Sequence, residues 1–248
     1  MMVGLLLFLD GVGWAFPFFV NFTLAHKKKP ILLNSTPPAD PFFFCMMSMV
    51  RVGLDMSLNS TGMAIVDGKN IVLLFNPQNQ KQCRIYWQRE LQGFHFTIRP
   101  FQTKPHTKAL KPKLSKQEKK QIQIQKISSV INNILRELQQ YYHSNTRIYI
   151  EDYAYGMTNS SSMSVLHELG GALKYMLAKK NIPYEAISPS SAKKRFAGTG
   201  RASKLDMYTA LQNLFPIPLW QIFGKSPGPK LPNPIQDIVD AFALAWIN

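Results

Sequence analysis

The stretch that decides the fold is residues 50–75, VRVGLDMSLNSTGMAIVDGKNIVLLF. Apolar side chains alternate with others up to Asp55, which is the pattern of a short buried strand. A polar turn follows at residues 57–62, and Asp67-Gly68 is typical of a hairpin turn because apolar runs lie on both sides of it. The stretch therefore predicts a three-strand antiparallel meander in which Asp55 ends the first strand.

After the meander, helical and extended patterns alternate. Apolar residues that recur every three or four positions predict helices. The predicted helices span residues 127–138, 165–177, 203–215 and a last segment that starts at Asn233-Pro234. Short apolar runs predict a strand over residues 147–150, which delivers Glu151, and another over residues 182–187. This order predicts an α/β domain with a mixed central sheet, in which the three-strand antiparallel meander is followed by alternating helices and strands.

The composition limits the class of protein. The chain has 248 residues, of which 46% are hydrophobic and 12% aromatic, and such a composition excludes a disordered chain. Its length allows one large domain or two small ones. The two cysteines, Cys45 and Cys83, are too few for a disulfide framework or a four-ligand zinc site. We therefore predict an intracellular, reducing compartment.

The charge predicts the kind of partner. Lys and Arg number 29 against 14 Asp and Glu, which gives a formal net charge of +15. A surplus of this size indicates a polyanion, and nucleic acid is the commonest one. A merely soluble basic surface is the alternative. Residues 104–126 carry eight lysines against one acid, Glu118, and this segment fits either a solvated helix face and loop or a DNA contact.

Residues 1–49 differ from the rest of the chain. Their apolar run is interrupted by Asp10 and Pro17, among others, and is too broken to predict a membrane-spanning helix. The basic start of a secretory signal is also missing. We expect a leader of uncertain status, either disordered or upstream of the true start, with a targeting or anchoring segment as the alternative.

We assign residues 50–248 to one domain. An insert around residues 76–115 interrupts it, and apolar runs at 84–87 and 94–98 are candidates for extra strands. The sequence shows no internal repeat, and we expect neither a membrane partner nor a small-molecule cofactor.

The scarce carboxylates fall into two groups. Outside the leader, seven lie in turns or on polar helix faces and are predicted to be solvated: Asp67, Glu90, Glu118, Glu137, Glu168, Glu185 and Asp206. Five others are embedded in apolar sequence: Asp55, Glu151, Asp152, Asp237 and Asp240. Carboxylates in such surroundings are costly unless a cation or a metal ion is paired with them.

Four of the embedded carboxylates are placed to converge. Asp55 and Glu151 each come where a strand ends, and sites in α/β sheets form at strand ends. Asp237 and Asp240 are three residues apart on a helix and share one face of it. Four such groups repel each other unless cations lie between them, and oxygen ligands select Mg²⁺ or Mn²⁺. We predict a site for two Mg²⁺ ions, with Mn²⁺ as a substitute, that cleaves phosphodiesters.

A purely structural interpretation of the same acids remains open. Asp55 would cap a turn, Glu151 would pair with a lysine, and the helix acids would only favour the helix dipole.

A basic run around a Gly-x-Gly turn is the second functional motif. Glycines let the backbone approach a phosphate, and a helix start supplies free N–H groups. We predict DNA contacts at Lys193, Lys194, Arg195, Gly198, Gly200 and Arg201. Lys204 follows the run and is predicted to stabilise charge on the scissile phosphate. Tyr153 and Tyr155 could stack on bases or wedge between them, with aromatic packing at a strand end as the alternative.

Four segments in order resemble the RuvC-like Holliday junction resolvases. They are VGLDMSLNSTG at 52–62, IEDY at 150–153, the Pro189…Lys194…Gly198-x-Gly200-x-Ala202-x-Lys204 run and DIVDAFALA at 237–245. The resemblance implies a ribonuclease H-like fold, a homodimer and Mg²⁺-dependent, symmetric nicking of four-way DNA junctions. By position it makes Asp55, Glu151, Asp237 and Asp240 metal ligands, Lys204 the basic active-site residue and Lys194 a nearby basic contributor. The long insert is similar to that of viral and phage-type members.

Other functions remain as alternatives. A broader branched-DNA nuclease would share the same site. A non-catalytic junction-binding protein would not need four acids facing an anionic partner. Asp55-x-Ser57 with Thr61-Gly62 also resembles the first phosphate-binding hairpin of actin/hexokinase-like ATPases, but the second Asp-Gly hairpin that those proteins need is missing.

Overall fold

A computed structural model describes residues 49–102, 115–152 and 161–246. Its strands are β1 (Arg51–Asp55), β2 (Gly62–Asp67), β3 (Asn70–Phe75), β4 (Trp87–Leu91), β5 (Phe94–Pro100), β6 (Arg147–Glu151) and β7 (Tyr184–Ile187). Its helices are α1 (Lys116–Tyr141), α2 (Ser161–Lys179), α3 (Pro189–Ala197), α4 (Lys204–Leu214), α5 (Leu219–Ile222) and α6 (Ile235–Ala245). A 3₁₀ turn, Gln82–Arg84, precedes β4.

The strands form one seven-stranded mixed sheet in the order β4-β5-β3-β2-β1-β6-β7. Strands β1, β2 and β3 pair antiparallel as the predicted meander. Strand β6 is parallel to β1, and β7 is parallel to β6. The predicted α/β class with a mixed sheet is therefore confirmed, and this meander-plus-parallel arrangement is the one expected of a ribonuclease H-like fold.

Five strands end at the same end of the sheet. Because β3 is antiparallel to β2, it runs parallel to β1, and β5 pairs parallel with β3. We call this end, where β1, β3, β5, β6 and β7 finish, the carboxyl end of the sheet. Asp55 and Glu151 both lie there, and the register pairs Leu54 with Ile150 just before them. The topology thus brings the two strand-end acids side by side.

Alternating side chains build a core on each face of the sheet. Residues such as Val52 and Leu54 face α1 and α2, whereas Ala64 and Val66 face α4, α5 and α6. The apolar stripe of α1 that was predicted from 127–138 is buried against the first face, and α1 extends to Lys116 through a capping box between Ser115 and Glu118. Burial of apolar area on both faces stabilises the layers.

The structure corrects three local predictions. The predicted strand at 182–187 begins only at Tyr184, because the N–H of Ile182 still donates to the Leu177 carbonyl at 2.9 Å at the end of α2. After this strand, the Ser188 hydroxyl accepts a hydrogen bond from Ser191 N at 3.2 Å and begins helix α3. The predicted strand at 84–87 is replaced by the 3₁₀ turn, because the strand begins only at Trp87. Helix α6 begins at Ile235 without a side-chain cap, so the predicted start at Asn233-Pro234 lies just before the helix.

Glu137 is buried rather than solvated, which contradicts its prediction. Its side chain is 1% exposed and binds the Arg99 guanidinium through two hydrogen bonds of 2.7 and 3.2 Å. Because Arg99 comes from the insert strand β5 and Glu137 from α1, the ion pair joins two elements that the sequence pattern treats separately. A bidentate pair of this kind satisfies the buried charge.

Some predictions lie outside the described residues. The leader falls there apart from Met49, as do Tyr153, Tyr155 and the lysines between residues 103 and 114. The division into a leader and a domain, and the viral or phage-type assignment, stay predictions. Within the described ranges, no helix combines the length and apolarity needed to span a membrane.

Candidate active site

Three elements deliver the four predicted carboxylates to one place. Asp55 ends β1, and Glu151 ends the neighbouring parallel strand β6. Helix α6 carries Asp237 in its first turn and Asp240 one turn later, and both are buried, with 3% and 7% of their surface exposed. Asp55 interacts electrostatically with the other three carboxylates, and Glu151 interacts also with Asp240, so Asp55, Glu151, Asp237 and Asp240 lie at the same end of the sheet.

Two glycines let α6 lie directly on the strands. A Cβ atom on Gly62 would be 2.2 Å from the Asp237 carbonyl oxygen, and one on Gly53 would be 2.0 Å from the Ala241 carbonyl oxygen. Carbon and oxygen atoms do not approach this closely, so only a residue without a side chain fits at either position. Because Gly62 pairs with Asp55 in the β1–β2 register, this contact also places Asp237 beside Asp55.

Burial and mutual repulsion perturb the carboxylates. Burial raises the pKa of Asp55 well above its usual value, and the charges of Glu151, Asp240 and Asp237 raise it further. Burial, followed by the Asp240 charge, also raises the pKa of Glu151, which is hydrogen-bonded to Asp55. Such shifts mark a site with more negative charge than its surroundings neutralise.

Asp237 has an unpaired buried oxygen. Its Oδ2 atom is buried and has no hydrogen-bond partner. Burial and then the charge of Asp240 raise the pKa of Asp237 to about 7, although a hydrogen bond with Ser60 and the charge of Lys204 act in the opposite direction. A buried carboxylate oxygen without a partner is costly, so a positive ligand at this atom would be favourable.

Lys204 is the cation closest to this cluster. It is the first residue of α4, whose start is fixed by a capping box between Ser203 and Asp206. Its ammonium group forms an ion pair with Asp240. Burial acts to lower the pKa of Lys204, but the charge and hydrogen bond of Asp240, together with the other carboxylates, raise it overall. The predicted active-site lysine therefore contacts the carboxylate cluster.

The donor set fits hard divalent cations. All four groups offer carboxylate oxygens, which are the ligands that Mg²⁺ and Mn²⁺ prefer, and Asp237 has a free buried oxygen. In the described ranges, however, no three such groups stand close enough to hold an ion as they are now arranged. Two features explain this spacing. The carboxylates repel one another, and Asp240 is already paired with Lys204, so neither feature favours a close approach of the carboxylates without an added cation.

This electrostatic arrangement predicts how pH affects the metal-free protein. The pKa of Asp237 is raised to about 7, so the folded state holds that proton more tightly than the unfolded chain does. Its contribution to stability is complete below about pH 4 and is lost as pH rises through 7. We expect Tm in EDTA to fall by several degrees between pH 5 and pH 8, as measured by calorimetry.

Asp237→Asn is the matched variant for this pH dependence. It should raise Tm in EDTA at pH 8 by about 3–10 °C, since each kcal/mol shifts Tm by about 2–4 °C in a chain of this size. Added Mg²⁺ should raise Tm of the wild type more than that of the variant. A Tm of the wild type that rises toward pH 8 in EDTA would contradict this account.

The basic run is divided between the site and the surface. Lys193 is half-buried, and its charge lowers the pKa of Glu151 and Asp240 against the effect of burial. Lys194, Arg195 and Arg201 are exposed. The residue of this run whose charge acts on the carboxylates is thus Lys193, whereas the resemblance pointed to Lys194.

The Gly-x-Gly turn has a structural role of its own. Gly198 ends α3 in a left-handed conformation, with φ at 82°, which favours glycine. A Cβ atom on Gly200 would lie 3.1 Å from the Ser190 carbonyl oxygen. These glycines shape the connection from α3 to α4, and their predicted contact with DNA stays a prediction.

Asp152 does not join the carboxylate cluster. It forms an ion pair with Lys174 of α2 at 3.5 Å.

The sequence did not predict Ser60 or the role of Lys193 beside the carboxylates. The sequence of the polar turn at 57–62 signals Ser60 only weakly, because four of its six residues are polar. The role of Lys193 depends on the position of α3, which the sequence pattern does not give.

No protein-family model and no curated protein matches this chain. Among solved structures, the chain is similar to Thermus thermophilus RuvC, with 18% identity, a TM-score of 0.42 and coverage of 79% of this chain and 91% of that one. The same protein in complex with a Holliday junction substrate gives 15% identity, a TM-score of 0.43 and coverage of 79% and 90%. The yeast mitochondrial Holliday junction resolvase gives 12% identity, a TM-score of 0.43 and coverage of 85% of this chain and 84% of that one.

Proposed function

We propose that this chain is a RuvC-like Holliday junction resolvase, a DNA endonuclease that cuts four-way junctions by paired symmetric nicks. One observation carries the proposal: β1, β6 and α6 bring four carboxylates together at the carboxyl end of the sheet in a chain of net charge +15. A basic protein gains nothing for DNA binding alone by gathering acids at one point. The cluster is better explained by chemistry on a phosphodiester.

The four carboxylates would hold two Mg²⁺ ions, for which Mn²⁺ would substitute. Bound ions of this kind supply Lewis-acid chemistry at the phosphodiester. Asp55 and Glu151 would hold them from the rigid strand ends, and Asp237 would use the oxygen that has no protein partner. The glycine contacts keep α6, and therefore its two acids, at a fixed distance from the strands.

Lys204 and the α3 cations would act on the DNA. The ammonium group of Lys204, which is paired with Asp240, would move to a phosphate oxygen and stabilise the charge that develops during cleavage. The exposed side chains of Lys194, Arg195 and Arg201 would bind backbone phosphates nearby. Such contacts are largely independent of sequence and weaken as salt is added.

Paired symmetric nicks require two active sites, so we propose a homodimer. An apolar groove of about 410 Å³ between α1 and α2 supports it, lined by Ile124, Ile131, Met176 and others. Ile124 is 45% exposed and Tyr175 is 65% exposed at this groove. A second copy of the chain would cover these side chains.

The dimer gives a direct prediction. The double variant Ile124→Glu/Tyr175→Glu should be a monomer at micromolar concentration, because a charge at each position cannot be buried cheaply. It should nick junctions singly and lose paired cleavage, as sedimentation velocity and denaturing gels would show. Leu214→Glu, at the exposed end of α4, is the control and should stay dimeric. Wild-type protein that cuts in pairs while sedimenting as a monomer would contradict the proposal.

The substrate range is tested by comparing a four-way junction, a flap and a duplex at equal concentration with Mg²⁺ and with EDTA. Cutting of the junction alone supports the proposal. Equal cutting of the flap and the junction would replace it with a broader branched-DNA nuclease, and binding without cutting would indicate a junction-binding protein. ATP hydrolysis without DNA cleavage would favour the ATPase alternative.

We place the activity in an intracellular, reducing compartment, where the free thiol of Cys83 would be stable.

A further inference from the structure

The insert adds a surface beside the candidate active site. Strand β5 runs parallel to β3, and β4 runs antiparallel to β5. The connection from β3 to β4, residues 76–86, therefore lies at the carboxyl end of the sheet, the same end as Asp55. This surface comes entirely from the insert, to which the proposed cleavage chemistry assigns no role.

The connection is basic and contains no acid. Residues 76–86 read NPQNQKQCRIY, with two cations, Lys81 and Arg84, and no Asp or Glu. Lys81 and Arg84 are exposed, and Tyr86 is 63% exposed. An exposed tyrosine close in sequence to two exposed cations offers hydrogen-bond donors suited to phosphate oxygens.

The connection is held firmly to the active-site turn. The backbone N–H of Asn76 donates to the Thr61 carbonyl at 3.0 Å, and its side-chain amide donates to the Asn59 carbonyl at 3.4 Å. Gln82 is buried: its side chain accepts from Gln78 N at 2.7 Å, and its own N–H donates to the Asn79 side chain at 3.0 Å. The exposed cations therefore project from a fixed platform.

The distance from the acids suits a DNA arm. The connection runs from β3, two strand spacings from β1, to β4, four spacings from β1, which are about 10 and 19 Å at about 4.8 Å each. At about 3.4 Å per base pair, this range corresponds to about three to six base pairs of duplex. A surface at this distance would meet the arm of a junction rather than its branch point.

We propose that Lys81, Arg84 and Tyr86 form a second DNA-contact surface, which we call the insert surface, that binds backbone phosphates of a duplex arm about three to six base pairs from the cut. This inference rests on the proposed function. The absence of acids between residues 76 and 86 favours a polyanion, and the continuity with the carboxyl end of the sheet favours the same DNA molecule that the acids would cleave. Contacts to phosphates would orient the arm without reading its sequence.

The test measures binding to a labelled four-way junction in Ca²⁺ as salt is varied. Lys81→Ala/Arg84→Ala should lower the slope of log Kd against log salt by about two, because each lost phosphate contact removes about one. Tyr86→Phe should weaken binding about two- to tenfold, the effect of one lost hydrogen bond. Ethylation of phosphates about three to six base pairs from the cut should interfere with binding of the wild type but not of the double variant.

Matched controls come from the opposite end of the sheet. Lys179→Ala/Lys180→Ala removes two exposed lysines at the end of α2, and Tyr184→Phe alters a tyrosine at the start of β7. Both should leave the slope and the interference pattern unchanged. If the wild type binds and cuts junctions but Lys81→Ala/Arg84→Ala keeps its slope and interference pattern, the insert surface is refuted and the proposed function stands. A wild type that neither binds nor cuts junctions would overturn both.

Discussion

Asp55→Asn is expected to abolish junction cleavage while leaving junction binding as tight as in the wild type, or tighter. Asp55 lies at the centre of the carboxylate cluster, where burial and then three neighbouring acids raise its pKa. Asparagine removes a negative charge without changing the shape of the side chain. The loss of a metal ligand should lower the cleavage rate at least about a thousandfold, whereas reduced repulsion should favour the DNA phosphates.

The matched control is Asp67→Asn. Asp67 ends β2 as Asp55 ends β1, but it lies at the opposite end of the sheet. The cleavage rate of this variant should equal that of the wild type within about twofold, because a surface substitution of this kind has only a small effect. Cleavage rates under single-turnover conditions and Kd in Ca²⁺ would be measured for both variants. Asp55→Asn protein that cuts at the wild-type rate would exclude this carboxylate from the chemistry.

Gly62→Ala is expected to damage both stability and cleavage. Its new Cβ atom would lie 2.2 Å from the Asp237 carbonyl oxygen and 2.6 Å from the carbonyl carbon. Those are backbone atoms of α6, so the helix itself must move. Overpacking of this kind costs about 1–3 kcal/mol or more. A displacement of about 1 Å at a catalytic group lowers rates about a hundredfold, because Asp237 would no longer meet the other carboxylates correctly.

Gly171→Ala on α2 separates this effect from a general response to alanine. A Cβ atom at Gly171 would meet nothing within 4 Å, and alanine stabilises a helix by up to about 1 kcal/mol relative to glycine. Its Tm should therefore equal or exceed that of the wild type, with unchanged cleavage. Gly62→Ala protein with wild-type Tm and cleavage would show that α6 does not need this close contact.

The carboxylate cluster could be predicted from the sequence because two local signals carry it. Asp55 and Glu151 follow short apolar strands, and parallel neighbours in a sheet end side by side. Asp237 and Asp240 share a helix face through their spacing alone. The meander follows from alternation and an Asp-Gly turn. These features depend on residues that are near each other in the chain.

The features that the sequence pattern did not predict depend on contacts between distant segments. Glu137 sits at a position of α1 that a helical pattern makes polar, yet Arg99 of the insert covers it. The charge of Lys193 acts on the cluster because of how α3 packs. The spacing of residues along the basic run does not distinguish Lys193 from Lys194. The same limit applies to the insert: its strands are weakly patterned, and only pairing with β3 shows at which end of the sheet its cations lie.

The most direct test of the carboxylate site is the mapping of nicks on a labelled four-way junction incubated with the wild-type protein in Mg²⁺ and in EDTA. We predict nicks in two strands at positions related by the symmetry of the junction, present with Mg²⁺ and missing with EDTA. Nicks that persist in EDTA at the wild-type rate, or an intact junction in Mg²⁺ with fully folded protein, would contradict the assignment of Asp55, Glu151, Asp237 and Asp240 to a metal-dependent nuclease site.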